Sequence, residues 1–175
     1  MASKIKEKTF KCVILGDLAV GKTSSIHRFI ENKFKEKYAP TLGVDILSQP
    51  FPDKDLTIDF FDFAGQKNFA RIRTRFYKKA SIAILVFDVT NESTFYSLEN
   101  WIAEAETNVG KSIPIVLIGN KVDLNHLRVV TRSQMLEFLE RHDSIIRIFE
   151  TSALTGEKIP EAFSIIADIL ADNPL

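Results

Sequence analysis

The stretch Gly16-Asp17-Leu18-Ala19-Val20-Gly21-Lys22-Thr23 constrains the fold more than any other part of the chain. It follows an apolar run, residues 10–15, and precedes a segment in which Ile26, Phe29 and Ile30 recur at helical spacing. Strand, glycine-rich turn and helix in that order are the setting in which a G-x-x-x-x-G-K-[ST] sequence wraps a polyphosphate. The glycines let the backbone curl, and successive amides with the helix N-terminus supply positive potential. Lys22 is expected to reach the β- and γ-phosphates, and the Thr23 hydroxyl to ligate Mg²⁺. Asp17, Leu18, Ala19, Val20, Gly21 and Ser24 complete the nucleotide contacts expected of this loop. The loop alone does not distinguish ATP from GTP.

Further along, short apolar runs without polar alternation (residues 10–15, 82–87, 113–118 and 145–149) read as buried strands. Amphipathic segments separate them. Phe95, Leu98, Trp101, Ile102 and Ala105 mark one helical face, Met135, Leu136 and Leu139 a second, and Ile159, Phe163, Ile166 and Leu170 a third. Residues 44–51 and 56–61 form two strand-like runs with only Pro52-Asp53-Lys54-Asp55 between them, so they are expected to pair as an antiparallel hairpin. The pattern predicts an α/β fold of the P-loop NTPase type: a mostly parallel six-stranded sheet with one antiparallel edge strand and helices on both faces. With 175 residues, the chain suits one domain over residues 9–175, after a flexible segment at residues 1–8. The loops at 16–23, 62–66, 119–123 and 151–154 follow predicted strands and are expected to converge on one site.

Composition narrows the setting. A net charge of zero gives no bias toward nucleic acid, and Cys12, the single cysteine, suits a reducing compartment. No apolar stretch approaches the roughly 20 residues that cross a bilayer. A cytoplasmic monomer is the expectation.

Asn120-Lys121-Val122-Asp123 follows the run at 113–118. A carboxylate at Asp123 can accept from both N1–H and the exocyclic amine of guanine, whereas adenine presents a lone pair at N1 and no such amine. Discrimination built on a buried group of this kind can reach about 10⁴-fold. Asn120 is expected to tie this loop to the phosphate loop, and the Lys121 stem to lie along the base.

With these elements in order, the chain resembles a Ras-superfamily GTPase from about Thr9 to Leu170, and is most similar to the Rab branch. Asp62-Phe63-Ala64-Gly65-Gln66 matches the D-x-x-G-Q element, and Thr151-Ser152-Ala153 the last guanine loop. Tyr38-Ala39-Pro40-Thr41 matches the first switch, and Phe34 the aromatic that packs on guanine. Thr41-Leu42-Gly43-Val44-Asp45 and Phe87-Asp88-Val89-Thr90-Asn91-Glu92 are similar to Rab sequences. The nuclear-transport GTPase Ran, which shares the T-L-G-V stretch, is the runner-up branch.

The resemblance implies that Asp62 holds Mg²⁺ through water and that Thr41 adds a second hydroxyl ligand in the GTP state. It also implies that the Gly65 amide touches the γ-phosphate and that Gln66 orients the attacking water. Tyr38, Phe34, Ser152, Ala153 and Leu154 join the nucleotide contacts. Lys22, Thr41, Gly65 and Gln66 are thus the expected catalytic set. Turnover without a stimulating partner is expected to be slow, on the order of 10⁻⁴ to 10⁻² s⁻¹. An exchange factor, an activating protein and effectors are expected at the switch regions, with a role in membrane traffic. The chain ends Asp-Asn-Pro-Leu, so membrane association is expected only through a tail absent from it or through partners.

Several positions depart from the family pattern. Leu18 and Ala19 stand where Ras proteins carry glycines, Phe63 replaces Thr or Ser, and Leu154 replaces a lysine. Phe61 and Ile46 alter the exposed hydrophobic surface that Rab effectors read. Phe63 and the unusual phosphate loop motivate an alternative, a GTP-stabilised binding module with little or no hydrolysis. The second switch, residues 67–79, carries six basic residues and no acidic one; Phe69, Ile72 and Phe76 are expected to face the sheet.

Overall fold

Two strands, β4 (Ile82–Asp88) and β5 (Ile115–Asn120), bury every residue. Their runs lack polar alternation because both of their faces are covered, as in parallel sheets generally. The computed structural model describes residues 8–34 and 41–172. Around these strands the chain adds β1 (Lys8–Leu15), β2 (Val44–Phe51), β3 (Leu56–Phe63) and β6 (Ile145–Thr151). The helices are α1 (Lys22–Glu31), α2 (Ala70–Arg73), α3 (Glu92–Tyr96), α4 (Leu98–Val109), α5 (Arg132–Glu140) and α6 (Ile159–Asp172). The six strands lie in the order β2-β3-β1-β4-β5-β6. All neighbours run parallel except β2 and β3, which pair antiparallel with Val44 opposite Phe63 and Phe51 opposite Leu56. The mostly parallel sheet with one antiparallel edge strand, expected from the sequence, is the architecture found.

One core lies on each face of the sheet. On one, Ile26 of α1 and Ile159, Phe163, Ile166 and Leu170 of α6 cover Cys12, Ile14, Ile84 and Val116. On the other, Phe95, Leu98, Trp101 and Ile102, with Met135 and Phe138 of α5, cover Val13, Leu85 and Leu117. Two helical faces differ from expectation. The stretch around Phe95 and Ala105 is two helices, with Ser97 between them. In α5, Leu136 is 47% exposed and Phe138 takes the buried place, packed 5.3 Å from Phe95 ring to ring.

Candidate nucleotide-binding site

The loops leaving the carboxyl ends of β1, β3, β5 and β6 meet at one edge of the sheet, and Asn120 is where they are joined. Its side chain is buried: Nδ2 donates to the Val20 carbonyl at 2.9 Å, while Oδ1 accepts from Thr151 Oγ1 at 3.2 Å and from the Ala153 amide at 3.1 Å. Gly21, at φ 100°, passes so close that a Cβ there would lie 2.2 Å from Asn120 Nδ2. Only glycine satisfies both the left-handed backbone and that approach. Ala19 also adopts a left-handed φ of 63°, a conformation that costs a non-glycine residue roughly 1 kcal/mol. Leu18 beside it is half exposed and lines the edge of the cleft next to this loop.

Lys22 opens α1 and is buried. Its ammonium donates to the carbonyls of Gly16 (2.9 Å) and Asp17 (2.7 Å), and burial lowers its pKa to about 8 against the opposing pull of Asp62 and Asp17. The next residue, Thr23, places its hydroxyl 3.0 Å from that of Thr41, and both hydroxyls bond Asp62 Oδ2. Asp62 is fully buried and its Oδ1 has no hydrogen-bond partner. Burial raises its pKa, while the Thr23 bond and the Lys22 charge lower it. Two hydroxyls and an incompletely satisfied carboxylate are a hard-oxygen donor set, which fits Mg²⁺. Among the described residues no cluster of three His, Cys, Asp or Glu offers a competing cation site.

Two adjoining clefts share Ala19, Gly21 and Ser24. One, of about 350 Å³, is bounded by Lys22, Thr23, Thr41, Phe63 and Gly65. The other, of about 200 Å³, is bounded by Phe34, Asn120, Lys121, Asp123, Ala153 and Leu154. Most of the expected phosphate and base residues divide between these two clefts, whereas Asp17, Val20 and Ser152 line neither. Asp123 accepts a hydrogen bond from the Ser152 hydroxyl, which orients its carboxylate. Leu154 is half exposed at the rim. Tyr38 lies outside the described residues. Gln66 lines neither cleft, and its carbonyl, rather than its side chain, is what the structure ties down.

Three residues at the site carry no apolar or glycine signal. Arg28 on α1 bonds the carbonyls of Ala153 (3.0 Å) and Leu154, and sits 6.0 Å from the centroid of the Phe34 ring. Asp88, at the end of β4, pairs with the Lys121 ammonium at 2.6 Å and accepts from the Thr90 amide and hydroxyl. Lys121 itself holds a left-handed φ of 73°. Arg73, one of the six basic residues of the second switch, is buried.

The second switch differs most from the sequence-based picture. It is not one helix but a 3₁₀ turn (Lys67–Phe69), the four-residue α2 and a second 3₁₀ turn (Thr74–Phe76). The tighter turns shift the buried face, so Ile72 is 44% exposed while Arg73 and Tyr77 are buried. Phe61 also departs from its expected place on the exposed surface: it is buried beneath the Lys11 ammonium, 4.2 Å from its ring, whereas Ile46 is half exposed. Phe63 fills the core edge-on against Tyr77, 4.9 Å away, a position a Thr would leave underfilled.

Comparison with known proteins agrees with this geometry. The family model described as Ras family matches residues 11–172. The GTP-binding protein YPT53 of Saccharomyces cerevisiae is 38% identical over 91% of this chain and 76% of its own length. The Ras-related protein Rab-13 of Canis lupus familiaris is 37% identical over 96% of this chain and 83% of its own. The Ypt/Rab-type GTPase ypt7 of Schizosaccharomyces pombe is 35% identical over 99% of this chain and 87% of its own. This chain belongs to the Ras family and is a Rab-like small GTPase.

Proposed function

We propose that this protein is a molecular switch that binds GTP and GDP with Mg²⁺, hydrolyses GTP slowly, and regulates membrane traffic through effectors at its switch regions. The observation that carries the reading is the meeting of Thr23, Thr41 and Asp62 beside Lys22, in a cleft that adjoins the one bounded by Asn120 and by Asp123, whose carboxylate Ser152 bonds. Thr23, Thr41 and Asp62 would hold the cation, which when bound neutralises charge on the β- and γ-phosphates.

Lys22 exchanges its bonds to the Gly16 and Asp17 carbonyls for phosphate oxygens. Asp123, held by Ser152, selects guanine, and Phe34 and Leu154 cover the base. Gly65 presents its amide to the γ-phosphate and Gln66 orients the attacking water. Loss of the γ-phosphate removes the contacts of Thr41 and Gly65, and both segments relax. An exchange factor and an activating protein accordingly act at the switches.

Single-turnover phosphate release from bound GTP tests this. The parent should release phosphate, and Gln66→Leu should release it at least about tenfold more slowly while keeping its GTP affinity, because water positioning acts only in the transition state. Equal rates for parent and variant would favour the alternative, a GTP-stabilised binding module with little turnover.

A further inference from the structure

Arg73 is 2% exposed, and its guanidinium is hydrogen-bonded within the protein. Nη1 donates to the carbonyls of Ala64 (2.9 Å) and Gln66 (2.8 Å). Nε and Nη2 form a two-pronged pair with the Glu104 carboxylate on α4, at 2.9 and 3.0 Å. The Tyr77 hydroxyl donates to the same carboxylate at 2.8 Å. The guanidinium also lies 4.7 Å from the centroid of the Trp101 ring, and Trp101 Nε1 donates to Asp17 Oδ1 in the phosphate loop at 2.8 Å. One buried arginine thus joins α4 to the backbone of the D-x-x-G-Q segment, and its aromatic neighbour joins α4 to the phosphate loop.

We propose that Arg73 is a positioning residue for GTP hydrolysis: anchored by Glu104 and Trp101, it holds the backbone at residues 64–66 in the place from which Gly65 and Gln66 act. The inference rests on the hydrolytic reading above. Space around the segment is small. A Cβ on Gly65 would lie 2.4 Å from the carbonyl carbon of Asp17 and 2.5 Å from the Leu18 nitrogen, so the segment lies directly against the phosphate loop. Besides Arg73, the bonds to these two carbonyls include the local turn from Phe69 to Gln66 at 3.2 Å. A rigid fork with several fixed donors sets geometry in a way that one lysine ammonium does not. Displacement of a catalytic group by about 1 Å can lower a rate about 100-fold. A buried ion pair with this wiring therefore sets a geometry, whatever its net contribution to stability.

The test compares the parent chain with Arg73→Gln and Glu104→Gln, each loaded with GTP. Phosphate release in a single turnover is measured beside GTP affinity and the melting temperature. Trp101, the only tryptophan in the chain, supplies a second readout: its emission as GDP is replaced by a non-hydrolysable GTP analogue. Arg73→Gln should slow release by about tenfold or more while GTP affinity stays within about threefold, and the emission response should shrink. Glu104→Gln should move both readouts in the same direction by less. Should Arg73→Gln fail to fold, Glu104→Gln decides by the same criteria.

Release within about twofold of the parent, or a loss that only tracks weakened GTP binding, overturns the inference and leaves the hydrolytic reading intact. A parent that holds GTP without releasing phosphate overturns the hydrolytic reading, and this inference falls with it.

Discussion

Replacing Asn120 by Ala removes a side chain that joins three loops, and the structure sets the size of the effect. Three hydrogen bonds disappear, to Val20 O, Thr151 Oγ1 and the Ala153 amide. The residue is 1% exposed, so water cannot readily replace them. At about 1 kcal/mol net for each bond the loss is about 3 kcal/mol, and more if the Val20 carbonyl and Ala153 amide stay unpaired. For a domain of this length that lowers the melting temperature by about 6–12 °C. If the same energy is withdrawn from nucleotide binding, affinity falls about 100-fold. Thr151→Val is the control: it deletes only the 3.2 Å bond and should cost about 2–4 °C. Scanning calorimetry of the GDP-loaded chains, with release of a fluorescent GDP, reads both quantities. If Asn120→Ala melted together with Thr151→Val and released GDP at the parent's rate, the idea that Asn120 ties the loops would be wrong.

Asp123→Asn should weaken GTP and admit xanthosine triphosphate, since an amide donates where the carboxylate accepted; comparable ATP and GTP affinities in the parent would defeat the guanine assignment. Thr23→Asn removes a hydroxyl from the trio with Thr41 and Asp62 and should abolish the drop in GTP affinity that chelating Mg²⁺ causes in the parent. Persistence of that drop in the variant would remove Thr23 from the cation site. Arg28→Ala frees the Ala153 and Leu154 carbonyls and leaves Phe34 without its cation, so GDP release should accelerate about tenfold. An unaltered release rate would show that the guanine loop keeps its shape unaided.

The sheet and the groove were legible in the sequence because their signals are local. A continuous apolar run marks a strand covered on both faces, and the glycine loop and the Asn120–Asp123 turn each carry their chemistry within a few residues. The second switch was not legible in the same way. Apolar periodicity places Ile72 inward because it assumes a single helix, whereas the mix of 3₁₀ and α turns rotates the face and buries Arg73. A buried arginine also has no apolar signature of its own; what permits its burial is Glu104, 31 residues away. Trp101 was correctly placed in a core by its spacing, yet its indole N–H finds Asp17 across 84 residues of sequence. Partners at that separation lie beyond any pattern read within one element.

The turns at the opposite ends of the strands, residues 52–55, 110–114 and 141–144, stand on the far edge of the sheet from the groove. The space around Gly110 is open: it is exposed, and nothing lies within 4 Å of where a Cβ would stand, although its left-handed φ of 81° at the end of α4 favours glycine itself. One end of the molecule is therefore crowded with residues that must keep their places, while the other is structurally permissive. Connections of that permissive kind are where inserted domains and relocated chain termini are best tolerated. A fluorescent reporter spliced between Gly110 and Lys111 would ride on the domain without touching the groove, so the protein could be tracked in a cell while its switch stays unencumbered.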